Sequence, residues 1–192
     1  MSYQVKLGIS ARHLHVAQEH LEILFGKDAV LHVVKPIGQP GQYASAERVD
    51  LVTEKGTIKG IRILGPVRKA TQIELALSDV RKIGLNPPVR DSGDLAGSPG
   101  LKIVGPCGTV DLTEGVIIAA RHVHLDIPTA AAWNLKDGDK VTICVKGIRA
   151  LVFENVLVRS NSGCANEFHI DTDEGNAAMA NNDDMVEVLT GK

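Results

Sequence analysis

Short runs of valine and isoleucine, broken by glycine, aspartate, asparagine or lysine, recur along the whole chain. QVKLGIS (4–10), AVLHVVK (29–35), RVDLVTE (48–54), TIKGIRIL (57–64) and LKIVG (101–105) have strand length and strand composition. So do GVIIAARHVHL (115–125), KVTICVKG (140–147), ALVFENVLVR (150–159), EFHID (167–171) and MVEVL (185–189). Several alternate apolar and polar residues at period two, the signature of a strand with one buried face. Helical patterning is sparse. VAQEHLEILFG (16–26) places Leu21, Leu24 and Phe25 on one helical face before a glycine stop. DIPTAAAWNL (126–135) opens with Asp126 as an N-cap and Pro128 in the first turn. SDVRKIGL (78–85) and TDEGNAAMA (172–180) each start one more short helix. The pattern predicts a mostly β fold with short capping helices.

The pattern also repeats. ISARHLHV (9–16) returns as IAARHVHL (118–125), and the turn-then-strand GKDAVLHVVK (26–35) returns as DGDKVTICVK (137–146). PVRKATQIELALSD (66–79) and VLVRSNSGCANEFHIDTD (156–173) share an order: arginine, short loop, a strand with one ligand-type residue, then Ser/Thr-Asp. This sets Arg68 beside Arg159 and Glu74 beside His169 in register. The chain therefore reads as two copies of one β-rich unit, residues 12–119 and 120–192, from an internal duplication. The first copy is longer, mainly through 36–50 and 85–109.

At 192 residues the chain can bury a substantial core, and a net charge of -2 with 3% aromatic residues offers nothing to nucleic acid. The three cysteines form no C-x-x-C pair, which argues against a disulfide framework or a cysteine zinc site and points to a reducing compartment. No apolar run is long enough for a signal peptide or a membrane span. The segment DSGDLAGSPGLKIVGPCG (91–108) has the composition of an inter-domain linker. A sharper alternative is a loop whose backbone N–H groups and Ser92 approach a phosphate.

The chemistry lies in the repeated phrase. On a strand, residues i and i+2 share a face, so His13 and His15 stand side by side, as do His122 and His124. One H-x-H alone is usually just a polar strand face. Here the halves have diverged almost everywhere, yet A-R-H-x-H survives in both, as does a later ligand-type residue, Glu74 or His169. Six candidate ligands are too many for one tetrahedral zinc and suit two zinc ions that each keep an open position. His20 and His32 lack this pattern and read as structural. Arg12 and Arg121 read as structural salt-bridge partners; Arg68, just before the Glu74 strand, reads either as a fork for phosphate or carboxylate or as a surface charge.

Five motifs in this order carry a resemblance: ISARHLHV, PVRKATQIELA, NPPVRDSGDLAGSPG, AARHVHL and EFHIDTDEGNA. Over residues 5–190 the chain closely resembles the PduL-type phosphate acyltransferases, or phosphate propanoyltransferases. The resemblance implies reversible transfer of a short acyl group, propanoyl or acetyl, between coenzyme A and inorganic phosphate. It implies two zinc ions per chain at His13, His15, Glu74, His122, His124 and His169, with Arg68 as the essential arginine. It further implies phosphate contacts from Arg68, Ser92 and Gln42, and coenzyme A contacts from Ser10, Lys35, Arg62, Leu64, His169 and Asn176. The implied fold is two small pseudo-symmetric β-barrels, the second completed by the N-terminal strand 1–11, and the implied assembly is a homodimer. Microcompartment members of the family carry an amphipathic N-terminal extension, whereas here Met1 stands directly before a strand. The expected location is the cytoplasm, free or inside a bacterial microcompartment. Two rivals remain. One is a covalent acyl-cysteine route through Cys164. The other is a dizinc hydrolase, against which stands the lack of an H-x-H-x-D-H run after His122.

Overall fold

An alternating strand needs a core on its apolar side, and each half of the chain builds its own. The computed structural model describes residues 2–190. In chain order the elements begin β1 (Ser2–Ser10), β2 (His13–His15), α1 (Gln18–Phe25), β3 (Val33–Pro36), β4 (Tyr43–Val52) and β5 (Thr57–Gly65). They continue β6 (Gln72–Glu74), α2 (Leu77–Lys82), β7 (Val89–Arg90), β8 (Leu101–Val104), β9 (Thr109–Leu112) and β10 (Val116–Ala119). Last come β11 (His122–Asp126), α3 (Ile127–Ala132), β12 (Lys140–Val145), β13 (Leu151–Asn161), β14 (Glu167–Asp171), α4 (Thr172–Ala178) and β15 (Met185–Leu189).

Contacts divide the chain into two units. Residues 1–10, 38–40 and 120–192 form one, and residues 11–37 with 41–119 form the other. In the first, six strands close into a barrel in the order β1-β14-β11-β13-β12-β15, with β1 antiparallel to β15 at the seam. Closure leaves no unpaired edge. Its core includes Leu7, Val123, Ile143, Val158, Phe168 and Val188, each fully buried. In the second, nine strands form a curled sheet in the order β7-β10-β6-β2-β5-β4-β8-β9, with β3 added on β4. This sheet is a half-barrel, because its terminal strands β7 and β9 have two and four residues and do not pair with each other. Leu14, Leu51, Ile63, Ile73, Ile103 and Val116 are fully buried in its core. Burial of each such side chain stabilises the fold by roughly 1.5–3 kcal/mol.

All four helical segments are helices. Asp126 caps α3 by accepting from Thr129 N at 2.7 Å. Asp171 and Glu174 form a reciprocal capping box at α4. Three details differ from the sequence pattern. GVIIAARHVHL is two strands, because β10 pairs with β6 and β7 whereas β11 pairs with β13 and β14. AVLHVVK is extended only from Val33, and β4 begins earlier than its apolar alternation suggests. The glycine-rich 91–108 segment is not a linker. It contains β8, which pairs with β4 and β9 inside the half-barrel unit.

Candidate metal centres

Each H-x-H strand pairs antiparallel with the strand that bears the third ligand-type residue. In the half-barrel, His13 lies opposite Glu74, Leu14 opposite Ile73 and His15 opposite Gln72. In the barrel, His122 lies opposite His169, Val123 opposite Phe168 and His124 opposite Glu167. The middle pairs, Leu14/Ile73 and Val123/Phe168, are fully buried. Strand alternation therefore puts the other four side chains of each patch on the opposite face, as a two-by-two grid.

The grids bring together two ligand sets. One potential ligand atom each from His13, His15 and Glu74 lies within 4.8 Å of the others, and the same holds for His122, His124 and His169. The ring centroids of His13 and His15 are 5.2 Å apart and those of His122 and His124 are 4.8 Å apart. The first histidine of each pair is oriented in the same way. His13 Nδ1 meets the Ala11 carbonyl at 2.8 Å, and His122 Nδ1 meets the Ala120 carbonyl at 2.9 Å. His15 Nδ1 meets the Leu64 carbonyl at 3.2 Å. A carbonyl can only accept, so these rings carry hydrogen on Nδ1 and leave Nε2 as the lone-pair nitrogen.

The electrostatics favour neutral imidazoles. Burial, then the neighbouring His13 and Arg68, lowers the pKa of His15 to about 2. Burial, then Arg159 and His169, lowers that of His122 to about 2. His124 is lowered to about 4 by burial, His169 and Arg159. Neutral, buried imidazoles clustered with a carboxylate are the donor set of a zinc site. One atom points the same way: His124 Nδ1 is buried without a hydrogen-bond partner. Such an orphaned nitrogen is costly unless something outside the chain takes its lone pair or proton.

The repeat extends into the supports of each set. Arg12 pairs with Asp79 at 3.2 Å, and Arg121 pairs with Glu174 at 2.7 Å. Asp79 follows Glu74 by five residues, and Glu174 follows His169 by five. Both acids lie on the short helix after the third-ligand strand. Each arginine thus ties the start of the H-x-H strand to the helix that follows its partner strand, a structural role of the kind expected of Arg12 and Arg121. The pairing of Arg68 with Arg159 does not hold in the ladders. Arg159 is opposite His124 on β13, whereas Arg68 lies past the end of β5, opposite Ala17. Each nonetheless lies close enough to its own set to depress a histidine pKa.

Arg68 donates to Ser92 Oγ at 3.1 Å. Gln72 donates to the same Oγ at 2.7 Å and to Glu74 Oε1 at 2.5 Å, while its own Oε1 accepts from Gly93 N at 2.7 Å. A guanidinium, a hydroxyl, an amide and a loop N–H are thereby tied to the Glu74 set. Gln42 is not part of this cluster: it precedes β4 and bonds through its main chain to Ile37. Gln72 and Glu167 were missed by sequence reasoning, although each sits two residues before a recognised ligand candidate and so shares its strand face.

The remaining candidates are dispersed. Ser10 ends β1 opposite Asp171, and Asn176 is exposed on α4. Lys35 is exposed on β3; Arg62 donates to the Ser45 carbonyl, and Leu64 lies opposite Ala44. His20 is bonded to Thr71 and His32 to Glu47. Cys164 is buried, donates to the Asn161 carbonyl at 3.4 Å and belongs to neither ligand set. Asp126, the acidic residue after His124, is engaged as the α3 cap. No helix among the described residues is long and apolar enough to cross a membrane.

Fold and site together define a mostly β protein with two histidine-based ligand sets, one of them joined to an arginine-serine-glutamine cluster suited to an anion. The sequence model of the phosphate propanoyltransferase family matches residues 6–181. A phosphate propanoyltransferase of Thermotoga maritima is 49% identical over 184 residues, covering 95% of this chain and 88% of its own. One of Rhodobacter capsulatus is 45% identical over 184 residues, covering 96% and 86%, and one of Rhodopseudomonas palustris is 42% identical over 186 residues, covering 97% and 82%. The chain belongs to the phosphate propanoyltransferase family and is an acyltransferase.

Proposed function

We propose that this enzyme reversibly transfers a propanoyl or acetyl group between coenzyme A and inorganic phosphate, with one zinc ion held by each ligand set. The observation that carries the reading is the Arg68–Ser92–Gln72 cluster, bonded directly to the ligand candidate Glu74. A dianion held there is gripped by a guanidinium and oriented by neutral donors, which supplies positioning as well as charge. His13, His15 and Glu74 would hold one ion; His122, His124 and His169 would hold the other. Zinc, when bound, supplies positive charge that stabilises a thiolate leaving group and a developing carbonyl oxyanion.

In the reaction a phosphate oxygen attacks the thioester carbonyl, the C–S bond breaks, and coenzyme A leaves as the thiolate. Phosphate is already anionic at neutral pH, so no side chain need remove a proton from it. Arg68 neutralises and aims the nucleophile, and Gln72 keeps Ser92 and Glu74 in register. Coenzyme A contacts are assigned to Ser10, Lys35, Arg62, Leu64, His169 and Asn176, and the active assembly to a homodimer. The two acyl groups differ by one methylene, worth only about 1–3 kcal/mol in a snug pocket, which bounds the preference for one over the other at about 200-fold.

The test is coenzyme A release from propanoyl-CoA with and without phosphate, together with metal analysis of the purified chain. Strict phosphate dependence and two zinc ions per chain are expected. Phosphate-independent release would instead mean a thioesterase, and an active chain without metal would overturn the zinc assignment.

A further inference from the structure

We infer that Glu167 is a positioning residue of the barrel's ligand set, whose carboxylate commits one nitrogen of His169 and so presents the other to the metal ion. The inference rests on the zinc reading above and adds a residue to it.

Glu167 fills the fourth corner of the barrel grid, opposite His124 and two residues before His169 on β14. Its Oε2 lies 2.7 Å from His169 Nε2. A carboxylate only accepts, so Nε2 carries the hydrogen and Nδ1 keeps the lone pair. The carboxylate is itself confined. A Cβ on Gly38 would overlap Glu167 Oε2, and a Cβ on Gly8 would stand 3.0 Å from Oε1. Two bare backbones therefore wall the group in. Gln39, the buried neighbour of Gly38, donates its side-chain amide to the Ala165 carbonyl at 3.5 Å, two residues before Glu167. Consistent with this, the bond from His169 holds the Glu167 carboxyl below its usual range.

The half-barrel grid has a neutral Gln72 at the same corner, and there the third ligand candidate is itself a carboxylate, Glu74. Each grid thus contains one carboxylate, at different corners. In the barrel the three ligand candidates are all histidines, which bring no negative charge, so the carboxylate stands behind one of them. A carboxylate behind a ligating imidazole fixes its tautomer and raises its basicity, and loss of such a partner weakens metal binding about 10–100-fold.

The test uses the full chain, stripped of metal and titrated with zinc against a chromophoric chelator, then with cobalt(II) as a spectroscopic probe. E167Q should bind one of its two zinc ions about 10–100-fold more weakly, leave the other unchanged, and shift the cobalt absorption of the weakened site alone. E167D should recover part of the loss. G38A leaves Glu167 in place but pushes on its carboxylate, and should weaken the same ion. Wild-type affinities and cobalt spectra in both E167Q and G38A would overturn the inference while leaving the zinc reading intact. A wild-type chain that takes up no zinc would overturn both.

Discussion

In the half-barrel, His13 and His15 face Glu74 and Gln72 across β2 and β6; in the barrel, His122 and His124 face His169 and Glu167 across β11 and β14. The scaffolds coincide in detail: a buried apolar pair beneath each grid, a carbonyl fixing the first histidine, and an arginine clamped to an acid five residues beyond the third ligand. The corners have diverged. The half-barrel grid has a carboxylate in the ligand set and a glutamine that ties it to Arg68 and Ser92. The barrel grid has three histidines and keeps its carboxylate, walled by glycines, behind one of them. The repeat thus keeps, in both units, the geometry that gathers three potential ligand atoms. The corner residues then set what each site can do.

The largest effects should come from removing one ligand set at a time. H13A/H15A and H122A/H124A should each lower the zinc content from two to one per chain and reduce turnover at least about 1,000-fold, as expected when charge stabilisation at the reacting atoms is lost. Metal analysis beside kinetics checks this; loss of both ions from either variant would show that the sets are not separate. Arg68→Ala should cost about 100–1,000-fold in turnover with both zinc ions retained, because it removes the anion clamp and no ligand. Near-normal turnover would place the phosphate elsewhere.

Acid should separate the units in the metal-free chain. His122 and His124 in the barrel, and His15 in the half-barrel, have folded pKa values far below the ordinary 6.5. The unfolded chain therefore binds more protons below that pH, and stability falls as pH falls from about 6.5 toward the folded values. The slope is up to about 1.4 kcal/mol per pH unit for each such histidine, less for the more exposed His124. Hydrogen exchange between pH 7 and pH 5 should show the barrel losing more protection than the half-barrel.

Smaller effects follow from the clamps. Asp79 is 3% exposed with one oxygen unbonded, whereas Glu174 is 19% exposed. Arg12→Ala should cost about 2 kcal/mol and Arg121→Ala about 1 kcal/mol, both reduced because the arginines themselves reach solvent. Denaturant melts of the two variants measure the difference. Cys164→Ser should change turnover by less than about twofold. A large loss would revive an acyl-cysteine route, which the position of Cys164 outside both ligand sets argues against.

Much of this was legible in the chain before it was folded. Period-two alternation marked the strands, and Asp126 marked the start of α3, because both signals are local. The repeated A-R-H-x-H phrase and the later Glu74 and His169 were legible because duplication wrote them twice. Other features depended on which strands meet. Nothing local distinguishes GVIIAARHVHL as two strands, since the break arises from its pairing partners. Gln72 and Gln42 are equivalent as letters; strand alternation sets Gln72 on the Glu74 face, and only the fold brings Ser92 to it. The acids that clamp Arg12 and Arg121 are distant in sequence and adjacent only through strand pairing. The glycines around Glu167 read as turn residues until the fold sets their bare backbones against its carboxylate. By itself the sequence determined residue types, periodicity and the two-fold repeat, which are properties of neighbours along the chain. The tertiary structure alone decided the corner partners, because register is set by burying whole faces, and a slip of one residue would turn the grid histidines of the slipped strand into the core.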